Sequence, residues 1–210
     1  MSDVALAIVR HLEKCLELHG DSARGVDWPT REGAERSYAV MLGVIRERPP
    51  ATPSLLDLGC GLAHMYEYMI ANGWNWVEYR GSDLSERFLD RCRQKFPHIP
   101  FSRADILGDS AAAIPEADYV VMDGLLTEKL SVPFDEMWRY SQALIAAAFG
   151  KARRGIAFNV KSKYVDWERE DLFHVPVQLM TDFIAERLTR SFVIRHDYGL
   201  YEYTVYAYRD

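Results

Sequence analysis

Ser54-Leu-Leu-Asp-Leu-Gly-Cys-Gly-Leu-Ala-His64 is the stretch on which the reading of this 210-residue chain turns. Its first five residues are a short apolar run carrying one acid, Asp57, and read as a buried strand. Gly59 and Gly61 follow at once, and the residues from about Leu62 to Ala71 read as a helix stopped by Gly73. A strand that turns through glycines into a helix brings bare backbone and free N–H groups close to whatever lies beyond the strand end. The same residues also suit a tight turn with no ligand, so their neighbours must decide. His64 stands at the third position of GxGxxG, where a dinucleotide fingerprint needs glycine or a small equivalent, which argues against a nicotinamide cofactor.

Outward from this stretch, short apolar runs alternate with helical segments. WVEYRGSD (76–83) reads as a strand, SERFLDRCRQKF (85–96) as a helix ended by Pro97, and PFSRAD (100–105) as a third strand. ADYVVMD (117–123) is a fourth strand, 134–149 a helix and GIAFNV (155–160) a fifth strand, with a last helix over about 177–188. SFVIRHDY (191–198) and YEYTVYAY (201–208) alternate β-branched and aromatic residues around Gly199-Leu200 and predict an antiparallel hairpin. Such alternation implies a mostly parallel sheet with helices on both faces, and ligands outside the carboxyl ends of its strands.

The strand ends carry acids in register. Asp83 lies 22 residues past Gly61, and Asp105 another 22 beyond. An acid at Asp83 can accept hydrogen bonds from the two hydroxyls of an adenosine ribose; the rival role is a cap for the helix opened by Ser85. At Asp105 a carboxylate can accept an exocyclic amine while Ile106 covers the base. Taken together, LLDLGCG, GSDLS, RADIL and DYVVMDG resemble the class I, Rossmann-like S-adenosylmethionine-dependent methyltransferases, clearly over about 54–160, with the terminal hairpin extending the likeness to the end.

That resemblance implies a three-layer α/β/α fold with a seven-stranded, mostly parallel sheet, whose antiparallel last strand inserts between the fifth and sixth. It implies S-adenosylmethionine as cofactor. By position, Asp57 is similar to the acid of the first motif, and Gly59, Cys60 and Gly61 to its loop. Asp83 resembles the ribose ligand and Asp105 the adenine ligand, flanked by Leu84 and Ile106. Asp123 and Gly124 fall where such enzymes pass the methionine end. Ala63 replaces the family's common third glycine.

Residues 1–53 read as a helical cap on a core of 54–210. Val4, Ile8, Leu12 and Leu16 form a helical stripe after Ser2 and before Gly20, and a second helix spans about Thr30–Arg46, ended by Pro49-Pro50 and Pro53. Trp28 and Arg36 in this cap are candidates for shaping the cofactor pocket, Arg36 as partner of a carboxylate. His11, His19 and His98 read as solvated residues.

Methyl transfer needs alignment and, for a protonated acceptor, a base, so the acceptor side must be sought elsewhere. The polar segment after the fifth strand supplies Asn159 and Tyr164 as orienting groups. The long connection DWEREDLFHVP (166–176) supplies His174, the leading base candidate, since imidazole titrates near neutrality.

The composition is that of an ordinary folded domain: 49% hydrophobic and 27% charged. Lys plus Arg total 25 against 31 Asp plus Glu, a net charge of −6, which offers no basic field to nucleic acid. Three widely spaced cysteines suit neither a disulfide framework nor a metal cluster, and fit a reducing cytosol. Charges interrupt the first twenty residues, and no stretch reaches eighteen uncharged apolar residues, so neither secretion nor a membrane span is expected. The sequence therefore reads as a cytosolic methyltransferase, monomer or homodimer, acting on an O or N atom of a small molecule. Its rivals are a non-catalytic S-adenosylmethionine-binding protein and a nicotinamide-dependent oxidoreductase.

Overall fold

The computed structural model describes residues 1–46 and 51–209; Pro49-Pro50, read above as a helix stop, lies outside the described residues. Helix α1 (Asp3–His19) begins at Ser2, whose hydroxyl accepts the Ala5 N–H, and ends at Gly20. A 3-10 turn (Ala23–Val26) leads to α2 (Arg31–Leu42), capped by Thr30. Then come β1 (Ser54–Leu58), α3 (His64–Ala71), β2 (Glu78–Asp83), α4 (Glu86–Lys95), β3 (Phe101–Arg103), β4 (Ala117–Met122), α5 (Phe134–Lys151) and β5 (Ala152–Ser162). Strand β6 (His174–Val175), α6 (Val177–Arg187), β7 (Phe192–Arg195) and β8 (Glu202–Tyr208) complete the chain.

The sheet runs β3-β2-β1-β4-β5-β8-β7, with β6 paired to β5. Pairings are parallel except for β5 with β8 and β7 with β8. The expected insertion of an antiparallel last strand is present, and the two-residue β6 makes the sheet eight-stranded. Strand β1 is buried along its whole length, as a central parallel strand must be. Its side chains alternate between two cores. Leu56 and Leu58 join Val120, Met122, Ile156 and Phe158 on the face covered by α1, α5 and α6. Leu55 joins Tyr119, Val121 and Ala157 on the face covered by α2 and α3. Both helices of the N-terminal segment thus pack into the cores of the sheet.

Two of the differences from the sequence reading have tertiary reasons. Helix α2 stops at Leu42, four residues short, because the Tyr206 hydroxyl donates to the Val40 carbonyl and the last turn tightens to Gly43→Val40 and Val44→Met41 bonds. A side chain at Gly43 would begin 2.6 Å from that hydroxyl. The long connection after β5 is not wholly irregular: its end forms β6, Lys161 pairing with His174. No helix among the described residues is long and apolar enough to cross a membrane.

Candidate active site

The strand order reverses between β1 and β4, and a pocket opens there against the ends of β1, β2 and β4. The glycine loop is its floor. Gly59 and Cys60 donate their N–H groups to the Ser82 carbonyl (2.7 and 3.1 Å), and Gly61 donates to Asp83 Oδ2 (2.9 Å). Gly59 and Gly61 have φ of 81° and 51°, and a Cβ on Gly59 would begin 3.0 Å from Leu125 Cδ1. Ala63 holds the same left-handed region (φ 58°), so it does the backbone work of the glycine it replaces, at a steric cost.

Four acids surround the pocket. Asp57 is buried and accepts the Tyr79 hydroxyl at 2.7 Å; burial pushes its carboxyl up to about 7, opposed by that bond and aided by Asp83. Asp83 accepts the Gly61 and Ser85 N–H groups, so one carboxylate braces the loop and the start of α4 together. Burial still holds it above the usual carboxylate range. Asp105 accepts the Leu107 N–H and lies 3.2 Å from the amino terminus of Met1. Asp123 Oδ1 accepts the Ser37 hydroxyl (2.6 Å) and an Asn159 N–H (3.2 Å), while Oδ2 is buried without a partner among the described residues. Burial and the nearby Glu202 push the Asp123 carboxyl well above its usual range.

The structure brings Trp28, Asp57, Gly59, Cys60, Gly61, Asp83, Leu84, Asp105, Ile106, Asp123 and Gly124 to this one pocket. It does not bring Arg36, whose guanidinium faces the Tyr198 and Gly199 carbonyls at the hairpin turn (3.4 and 3.5 Å). His64 lines the pocket and bonds Asp21 at 2.6 Å.

The three residues singled out for catalysis are not brought together. His174 is no loop histidine: it sits buried on β6, Nδ1 against the Ser162 carbonyl (2.6 Å) and Nε2 accepting the Arg169 N–H (3.3 Å). Both ring nitrogens are committed to backbone, and the ring lines neither this pocket nor its neighbour. Tyr164 is 73% exposed, and its N–H bonds the Ser162 hydroxyl. Asn159 is fully buried beneath the pocket. Its Oδ1 accepts the Gly124 N–H (2.8 Å), and its amide donates to Asp123 Oδ1 and Glu202 Oε1 (2.9 Å). Glu202, fully buried, also pairs with Lys161 (2.8 Å). This network holds the segment after β4 in place.

A second pocket shares Ile8, Leu12, Val26, Trp28, Gly124 and Leu125 with the first. Its other walls are mostly polar and include His11, Asp27, Glu128 and Lys161 beside Pro29, Leu130 and Leu172. Burial and Asp27 push the Glu128 carboxyl upward. Sequence reasoning passed over Asp27, Glu128 and Glu202, and it read as solvated His11, which is instead half-buried against Asp27 and Glu128. A signal existed for Glu202, the one charged residue of β8, for Asp27 beside Trp28, and for His11 in its four-residue spacing from Cys15; Glu128 had none.

No protein-family model matches the chain. A protein of Mycobacterium tuberculosis, Rv1506c, assigned by name to the methyltransferases, is 32% identical over 155 residues, 72% of this chain and 90% of that protein. Among solved structures, the magnesium protoporphyrin IX methyltransferase of Synechocystis PCC 6803 with bound S-adenosylmethionine superposes with a TM-score of 0.60 at 15% identity, covering 99% of this chain and 92% of that one. The CurJ carbon methyltransferase gives 0.61 at 15% identity, over 98% of this chain and 67% of the other. An amino pentose methyltransferase from Micromonospora echinaspora gives 0.53 at 14% identity, over 83% and 95%.

Proposed function

The chain belongs to the methyltransferases with the class I, Rossmann-like fold, and from that premise we propose that it transfers a methyl group from S-adenosylmethionine to an O or N atom of a small molecule seated in the second pocket. The observation that carries the reading is the junction of the two pockets at Trp28, Gly124 and Leu125, one lined with acids at the strand ends and the other carrying titratable side chains on a partly apolar wall. When bound, S-adenosylmethionine supplies an electrophilic methyl on a sulfonium cation.

The residues present fit that cofactor. Asp83 and Asp105 would hold the ribose and the base, with Leu84 and Ile106 against the ring. The unpartnered Asp123 Oδ2 would accept the methionine ammonium, and Asp57 adds a second acid whose ionised form a cation favours. Gly59 leaves room that Leu125 would deny to a side chain. Residues 1–53 would act as the cap, since Ala5, Ile8, Val9 and Leu12 of α1 roof the first pocket and Trp28 stands between the two. Orientation across that junction is worth about 7–11 kcal/mol when well aligned. The cytosol suits the three free thiols, and the −6 charge favours a metabolite over nucleic acid.

Calorimetry tests the cofactor: S-adenosylmethionine and S-adenosylhomocysteine should bind with micromolar affinity and NAD or NADP not at all. Absence of binding by both sulfur compounds overturns the reading. An acceptor screen that follows S-adenosylhomocysteine release then separates an enzyme from a silent binder.

A further inference from the structure

His11 and Cys15 stand four residues apart on α1, so both side chains leave the same helix face. That face meets the loop after the 3-10 turn Ala23–Val26 and the segment after β4. There His11 Nε2 lies 2.7 Å from Asp27 Oδ2, 3.8 Å from Cys15 Sγ and 3.4 Å from Glu128 Oε2. The donor atoms of His11, Cys15 and Asp27 all fall within 4.8 Å of one another.

Donors held tetrahedrally by one zinc-sized ion at ~2.0–2.3 Å stand ~3.3–3.6 Å apart. The His11–Glu128 and His11–Cys15 separations are close to that edge. The His11–Asp27 contact is shorter, the length of a direct hydrogen bond that an inserted ion would replace. Charge points the same way. Two carboxylates converge on one imidazole edge, while two cations of the same pocket are paired with other acids, Lys161 with Glu202 and Arg169 with Asp171. The other convergent group, Asp21, His64 and Glu67, already holds a cation, Lys95, at 3.1 Å from Asp21 and 2.7 Å from Glu67.

We propose that His11, Cys15 and Asp27 bind a divalent transition-metal ion of the zinc class in the wall of the second pocket, with Glu128, 3.4 Å from His11, moving in as the fourth ligand. A nitrogen, a thiolate and two carboxylate oxygens are a borderline-soft set, suited to zinc or cobalt and not to magnesium or calcium. The ion ties together three segments distant in sequence and clamps α1 over the first pocket, whose lining includes Ile8 and Leu12. The site does not depend on the cofactor reading.

The test titrates cobalt(II) into the full chain after chelator treatment, reading near-ultraviolet and visible absorption. Expected are one equivalent bound, a thiolate-to-cobalt charge-transfer band, the d–d bands of a four-coordinate site, and displacement by zinc. Cys15→Ser should remove the charge-transfer band, and His11→Gln should weaken binding by at least about tenfold, the lower end of what even an outer-shell loss costs. Absence of stoichiometric binding overturns the proposal. So does binding without the thiolate band, which puts the ion at Asp21, His64 and Glu67, or a band that survives in Cys15→Ser, which puts it on Cys60 or Cys92. Should Cys15→Ser fail to fold, zinc must still raise the thermal midpoint of the parent chain but not of His11→Gln. Calorimetry of S-adenosylmethionine on the same samples reports the cofactor reading separately.

Discussion

Asp57→Asn should make the protein more stable at alkaline pH while weakening its hold on a cationic ligand. Asp57 is 3% exposed, and its carboxyl is raised from 3.8 to about 7, chiefly by burial. A carboxyl whose pKa is raised on folding stabilises the native state below its unfolded pKa, and that stability is lost as pH rises through the folded value. Integrating between these two values gives a penalty of about 2 kcal/mol already at pH 5 and about 4 kcal/mol at pH 8. Asparagine keeps the Tyr79 hydrogen bond through its carbonyl oxygen and never ionises. Whatever its amide costs in that site is the same at both pH values, so the difference between them isolates ionisation. Urea unfolding of both proteins at pH 5 and pH 8 should therefore show Asp57→Asn gaining about 2–3 kcal/mol on the parent chain over that interval. A constant offset between the two proteins would refute the claim that Asp57 is held partly neutral by its surroundings.

Asp83→Ala should weaken S-adenosylmethionine binding by about 1–3 kcal/mol in calorimetry, since a carboxylate in the pocket wall is lost; unchanged affinity leaves Asp83 as a brace for Gly61 and Ser85 alone. Binding of S-adenosylmethionine should tighten as pH rises through about 7, as Asp57 ionises, and more steeply than binding of S-adenosylhomocysteine, whose sulfur is neutral; parallel profiles would remove Asp57 from the sulfonium's surroundings. Asn159→Ala should cost about 3 kcal/mol in chemical denaturation, because the Gly124 N–H and the Glu202 carboxylate lose a buried partner together. His174→Gln should lower the thermal midpoint and leave the acceptor KM unchanged; a selective loss of kcat with normal stability would restore it to the chemistry.

The order of strands and helices was legible because each element is written in local terms. Val120 and Val121 lie in an unbroken apolar run, Ser2, Thr30 and Ser85 each stand ready to cap a helix, and Gly59 and Gly61 sit where a strand must turn. The acids at the strand ends were legible for a related reason: strand termini in a parallel sheet fall on one edge, so Asp57, Asp83, Asp105 and Asp123 reach one pocket whatever the helices do. Direction and burial of individual side chains carry no such local mark. His174 belongs to an irregular stretch by composition, yet its ring is sealed by Ser162 and Arg169 because two residues of that stretch pair with β5. Arg36 stands on the helix that faces the pocket, but its guanidinium reaches the hairpin turn at Tyr198 and Gly199, far along the chain.

The sequence by itself determined the parallel sheet, the glycine turn and the acidic rim, since all three follow from residue types at spacings within one strand-helix unit. Only the tertiary structure decided what faces the second pocket. His11, Asp27 and Glu128 come from a helix, a loop and the segment after β4, and no period or motif joins them. Their meeting depends on how α1 lies across the sheet, a matter of packing between residues far apart in the chain.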